Sequence, residues 1–174
     1  NTENEKVSIS INESDTQIEF PLKLKLAVSN NPTIKKDKNI FRIAILGDSF
    51  AEARSVNVKK TFWYLMHEKL KKCKNINNTI EVINFGVTEY STAQQYLILK
   101  NKVWKYEPDL VLLTFFSETN ISSNSKKLSR KKYRPFFILE KDKLILDNSF
   151  KKTKPYKILS SPYGKFLLKL SDYS

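Results

Sequence analysis

A chain of 174 residues and 20.3 kDa, 40% hydrophobic and 28% charged, can bury one packed domain and is not compositionally disordered. A single cysteine, Cys73, excludes an internal disulfide framework and a cysteine-based zinc cage, and the single histidine, His67, excludes a histidine-rich metal site. No stretch reaches the roughly 18 consecutive apolar residues of a membrane span; the best run is Leu110 to Phe116. The formal net charge of +13 is uneven: residues 1–46 carry +1, residues 47–125 carry +2, and residues 126–174 carry +10, with 14 basic against 4 acidic side chains. Clusters such as Lys126-Lys127, Arg130-Lys131-Lys132 and Lys151-Lys152 suit nucleic acid or an anionic membrane surface, or form a solvated lysine face. Arginine, the usual residue for bidentate phosphate and guanine recognition, numbers only 4 against 27 lysines, which argues against nucleic acid.

Residues 1–40 are polar, with β-leaning patches at Val7–Ile11 and Gln17–Phe20, and read as a lead-in to a domain over 41–174. Phe41 to Leu46 is a short, nearly apolar run closed by Gly47, the pattern of a strand covered on both faces. Thr61 then opens a helix whose apolar face is Phe62, Leu65, Met66, Leu70 and Cys73. His67, about 140° around that helix from Phe62, is expected on its solvent side. Ile80 to Phe85 predicts a second strand, closed by Gly86. Ser91 and Thr92 cap a second helix, with Ala93, Tyr96, Leu97, Lys100, Val103 and Trp104 on one face. Pro108 ends it, and Leu110 to Phe116 predicts a third strand. Phe136 to Glu140 and Leu144 to Asp147 read as a hairpin around Lys141-Asp142-Lys143. Trp63, Trp104, Tyr96, Phe115 and Phe116 are expected in or near the core, and Cys73 as a small buried residue. Tyr163 to Leu170 reads as the opening of an amphipathic segment.

The order β-α-β-α-β predicts an α/β fold with a parallel sheet, helices on both faces and a hairpin insertion. Ligands of open parallel sheets bind beyond the carboxyl ends of the strands. Those ends are Gly47-Asp48-Ser49-Phe50, Gly86-Val87-Thr88 and Ser117-Glu118-Thr119-Asn120, and two of the chain's three glycines lie there. Glycine serves where backbone turns sharply or approaches closely. A serine on a tight Gly-Asp-Ser turn entering a helical segment presents its hydroxyl at the sheet edge, with its own N–H suited to an oxyanion. Alone, Gly-Asp-Ser is also an ordinary turn tripeptide.

Three blocks give the chain a resemblance to the SGNH hydrolases, also called GDSL-type esterases and lipases: Phe41 to Phe50, Val82 to Gln95, and Tyr106 to Phe116. Arg134 to Phe137 and Lys143 to Leu146 resemble an insertion hairpin found in one branch. The resemblance spans about residues 41–150. It implies a flavodoxin-like, three-layer αβα sandwich that hydrolyses or transfers carboxylic acyl esters, acting on a small-molecule, carbohydrate or lipid ester without metal or organic cofactor. Ser49 would be the nucleophile, and its N–H, the Gly86 N–H and an asparagine side chain would form the oxyanion hole.

Two departures qualify that expectation. The family's third block carries Gly-x-Asn-Asp, where this chain has Ser117-Glu118-Thr119-Asn120. Strict register puts the oxyanion amide on Thr119, and a slip of one residue restores it through Asn120, the preferred assignment. The family's Asp-x-x-His is absent, since His67 is the only histidine. A serine without a base is a poor nucleophile. The expectation is therefore an incomplete domain whose base lies beyond Ser174, inactive as it stands. The alternative is a catalytically dead module binding acylated carbohydrate or lipid. A third reading, a basic surface-binding protein, rests on the charge of residues 126–174.

Overall fold

The computed structural model describes residues 8–10, 33–74, 76–164 and 166. Contacts group the chain into two compact units, one over Ile18–Ile121 and one joining Asn1–Gln17 to Ser122–Ser174. The protein is a mixed α/β chain in which the first of these units holds a parallel three-stranded sheet.

That sheet has β2 (Ile40–Leu46) at its centre, flanked by β3 (Thr79–Asn84) and β4 (Leu110–Leu113). Ile43 lies opposite Val82 on one side and Leu110 on the other; Ile45 lies opposite Asn84 and Leu112. The period-2 alternation of strand side chains divides the core. Ile43, Ile45, Ile80 and Val82 pack with Trp63 and, less deeply, Tyr64, Met66 and Leu70 of α2 (Phe62–Leu70). Ala44, Leu46, Ile83 and Phe85 pack with Ile98 of α3 (Thr92–Asn101) and with Val103. Ser91 caps α3, the Gln94 side chain accepting the Ser91 N–H at 3.2 Å.

Three expectations about this unit need correction. On α2 the buried residues are Trp63 and His67, with Phe62, Leu65 and Cys73 exposed, so the core stripe is turned by about 100° from the one predicted. The cause is Trp63: it has the largest apolar surface on the helix, and its indole N–H donates to Ala51 O at 3.0 Å. Cys73 lies past the end of α2 and is exposed. Trp104 and Phe115 are exposed too, while Tyr96 and Phe116 are half-buried. Finally, β4 ends at Leu113, short of the predicted Phe116; just past it the N–H and the hydroxyl of Thr114 both donate to Leu46 O, at 2.8 and 2.9 Å.

Arg42 interrupts the apolar run of β2, yet it is buried: its guanidinium pairs with Glu81 across β3 and donates to Tyr106 O. Asp109 accepts from the Arg42 N–H at 2.6 Å and from Lys36.

The second unit contains β5 (Phe136–Glu140) and β6 (Lys143–Asp147), an antiparallel hairpin as predicted, though Lys143 belongs to the strand. Its turn residues Lys141 and Asp142 both have positive φ, 46° and 62°, the two-residue turn whose twist matches the strands. β1 (Ser8–Ser10), inside the expected lead-in, pairs parallel with β6. The patch Gln17–Phe20, and residues 165 and 167–170 of the predicted amphipathic segment, lie outside the described residues. Beyond β6 come a 3₁₀ turn, Ser149–Lys152, and α5 (Lys154–Ser160), joined by an edge-on contact of Phe150 with Tyr156 at 4.9 Å between ring centroids. Among the described residues no helix is long and apolar enough to cross a membrane.

Candidate functional site at the carboxyl ends of the strands

Leaving β2, the chain makes a single helical turn, α1 (Ser49–Glu52). Gly47 makes this possible: a Cβ there would stand 2.0 Å from Thr114 Oγ1 and 2.6 Å from Ala51 Cβ. Buried Asp48 accepts the Phe50 N–H at 3.0 Å, which caps α1, and Ala53, at φ 50°, closes it by donating to Ser49 O at 2.9 Å. Ser49 is the first residue of that turn and is exposed, so its hydroxyl stands at the carboxyl end of the central strand.

The second strand end is fastened to the same turn. Asn84, the last residue of β3, donates from Nδ2 to Ala51 O at 2.7 Å, beside the bond from Trp63. A Cβ on Gly86 would meet Ala51 Cβ at 2.6 Å and Glu52 N at 2.8 Å, so glycine is required by close approach. The Gly86 N–H donates to Asn84 Oδ1 at 2.8 Å. Gly86 thus lies beside the serine turn, with its N–H donated within the chain.

Glu52 finishes the attachment. Its Oε2 accepts the N–H (2.6 Å) and hydroxyl of Thr88, and its Oε1 accepts Arg54 Nε at 2.6 Å. Burial pushes the Glu52 carboxyl up, but the Thr88 hydroxyl, the Arg54 guanidinium and the Thr88 N–H outweigh it and hold the group below its ordinary value. A carboxylate with both oxygens engaged and its basicity reduced is an anchor, not a general base. Tyr90 is raised by burial and by the Glu52 charge, which keeps its phenol neutral.

The third strand end arrives through Phe116, whose ring lies 4.8 Å from that of Phe50. One turn on, in α4 (Ser117–Asn124), the Asn120 N–H donates to Phe116 O at 2.9 Å. Asn120 is 1% exposed whereas Thr119 is exposed, so of the two candidate amide positions the inward one is Asn120.

His67 is not on the solvent side. It is 5% exposed, its Nε2 stands 3.1 Å from Ile80 O, and its Nδ1 faces Glu68 Oε1 at 3.2 Å. Ile80 lies four residues before Asn84, some 13 Å back along the strand at about 3.3 Å per residue. His67 therefore serves the amino-terminal end of the sheet, beside a pocket of about 530 Å³ lined by Ile40, Leu70, Ile76 and Thr79, and it cannot reach Ser49.

Sequence reasoning missed Asn84 and Glu52. The signal for Asn84 was a lone polar residue closing an apolar strand; for Glu52 it was an acid three residues after the serine. Among the described residues no group of three or more His, Cys, Asp or Glu could hold a metal ion. The fold and site thus define an α/β unit with an exposed serine on a braced strand-to-helix turn. Comparison with protein-family models, curated proteins and solved structures finds no match.

Proposed function

We propose that this chain carries the nucleophile-bearing part of an SGNH-type ester hydrolase or O-acyltransferase, with Ser49 attacking a carboxylic ester. The observation that carries the reading is the serine turn: an exposed Ser49 on a four-residue helix, braced by Asn84, Trp63 and Glu52 at the carboxyl end of the central strand. Core clusters on alternate faces of the strands, one with α2 and the other with α3, support a three-layer αβα arrangement. In the proposed reaction Ser49 Oγ adds to the ester carbonyl while a base takes its proton. The tetrahedral oxyanion is met by the Ser49 N–H and the Asn120 amide, and the alcohol leaves with the proton. Water or a sugar hydroxyl then takes the acyl group from Ser49. Gly86 could contribute its N–H only by releasing Asn84. His67, the chain's one histidine, faces the other end of the sheet and does not serve as that base.

That placement of His67 also favours a second reading, a non-catalytic module holding acylated carbohydrate or lipid at the same strand ends. The test is p-nitrophenyl acetate turnover by the full gene product beside its Ser49→Ala variant. Turnover that drops at least about 10³-fold supports the enzyme; equal background in both, with retention of an acylated glycan, supports the binding module.

A further inference from the structure

Residues 126–174 carry +10 of the chain's net +13, and the bonds within this stretch gather that charge at one end of the hairpin. Lys126 Nζ pairs with Asp147 Oδ2 at 2.6 Å and reaches Ser149 Oγ at 3.4 Å, which brings the 126–132 loop to the start of the 3₁₀ turn carrying Lys151 and Lys152. Lys132 Nζ donates to Lys126 O and Lys127 O at 2.7 and 3.1 Å, folding the second basic cluster onto the first. The Phe150–Tyr156 contact then holds α5, with Lys154 and Lys157, next to that turn. Asp147, the acid within this group, is neutralised by Lys126 and bound to the Ser149 N–H at 2.8 Å. Among the described residues of 126–174 the other acids, Glu140 and Asp142, sit at the hairpin tip, a strand length of about 15 Å from the Phe136–Asp147 end.

Apolar side chains are interleaved with these cations. Leu128 follows Lys126-Lys127, Tyr133 follows Lys132, and Ile158 follows Lys157; Tyr163 and Phe166 come next along the chain, and all five are more than half exposed. Lysines alternating with exposed aliphatic and aromatic groups match an anionic bilayer surface, where ammonium groups meet headgroups and apolar tips enter the acyl boundary. Nucleic acid would favour arginine, and this group of residues has Arg130 alone among its exposed cations beside at least seven lysines.

We propose that the loop 126–133, the turn Ser149–Lys152 and α5 form a docking surface for an anionic lipid bilayer. The attachment is peripheral and salt-sensitive, with a salt-resistant remainder from the apolar tips.

The experiment is co-sedimentation of the 174-residue protein with vesicles of pure phosphatidylcholine and of phosphatidylcholine containing 30% phosphatidylglycerol, at 0.05 and 0.3 M salt. Binding is expected to the anionic vesicles alone and to weaken with salt. Replacing Lys127, Arg130, Lys152 and Lys157 by Gln should weaken it by about fivefold per residue, a few hundredfold in all. These four hold no side-chain bond described above, and circular dichroism checks that the variant is folded. Leu128→Ser with Ile158→Ser should remove the binding that persists at 0.3 M salt. Equal sedimentation with both vesicles, none with either, or preferential capture of a DNA duplex in competition would overturn the proposal.

Discussion

Asn84→Ala removes the strut between the second strand and the serine turn, and the size of the effect follows from its two bonds. Asn84 is 2% exposed and gives Nδ2 to Ala51 O at 2.7 Å while taking the Gly86 N–H on Oδ1 at 2.8 Å. Each such bond contributes about 1 kcal/mol net, and stranding a part-buried N–H adds about 1 kcal/mol or more. Ala51 O keeps Trp63 Nε1, which limits the loss on that side. The total is roughly 2–4 kcal/mol. With a urea slope of about 2 kcal/mol/M, the unfolding midpoint should fall by about 1–2 M. Asn78→Ala, exposed before the same strand, should change stability by less than about 0.5 kcal/mol. A fall below about 0.3 M for Asn84→Ala would mean that β3 does not brace Ser49, and the account of the site would lose its mechanical basis.

Glu52→Gln should flatten the acid limb of stability. The folded carboxyl sits below its ordinary value of 4.5, so its contribution is complete above that value and is lost as pH falls through the lower folded one. Urea midpoints at pH 6.5 and 3.5 should therefore differ less in the variant than in the parent; an equal difference would contradict the clamp. Gly86→Ala forces a Cβ into Ala51 and the Glu52 backbone and should cost about 1–3 kcal/mol, read by thermal melting; a neutral result would refute the close approach. His67→Ala should lower stability through its buried packing while leaving Ser49-dependent p-nitrophenyl acetate turnover unchanged in a gene product that shows it, and an activity loss larger than the stability loss would contradict its placement away from Ser49.

The three sheet strands, the helices after Thr61 and Ser91, and the hairpin were legible because apolar runs closed by glycine and helical spacing each have one dominant physical cause, whereas α4 and α5 were not predicted. The face of α2 was not. Spacing alone fits two stripes there, and the choice was made by Trp63, whose indole needs both burial and an acceptor, which only the tertiary arrangement supplies. His67 went with it onto the buried side. Arg42 and Glu81 escaped notice because neither reads as core until the two strands bring them into register. Ser49 and Gly86 could be picked out as neighbours from glycine placement. The use of the Gly86 N–H by Asn84 could not, since an i to i+2 side-chain bond depends on local backbone geometry. Thr119 and Asn120 were ambiguous in sequence and are separated by burial.

The central claim is the proposal that Ser49 is the nucleophile of an ester hydrolase and that His67 is not its base. Its most direct measurement is p-nitrophenyl acetate hydrolysis by residues 1–174, by the full gene product, and by Ser49→Ala in each. The account predicts background turnover for residues 1–174, indistinguishable from its Ser49→Ala variant, because general-base assistance worth about 10²–10⁴ is missing. It predicts Ser49-dependent turnover in a gene product that supplies a histidine. Robust Ser49-dependent turnover by residues 1–174 alone, or full activity surviving Ser49→Ala, would contradict it.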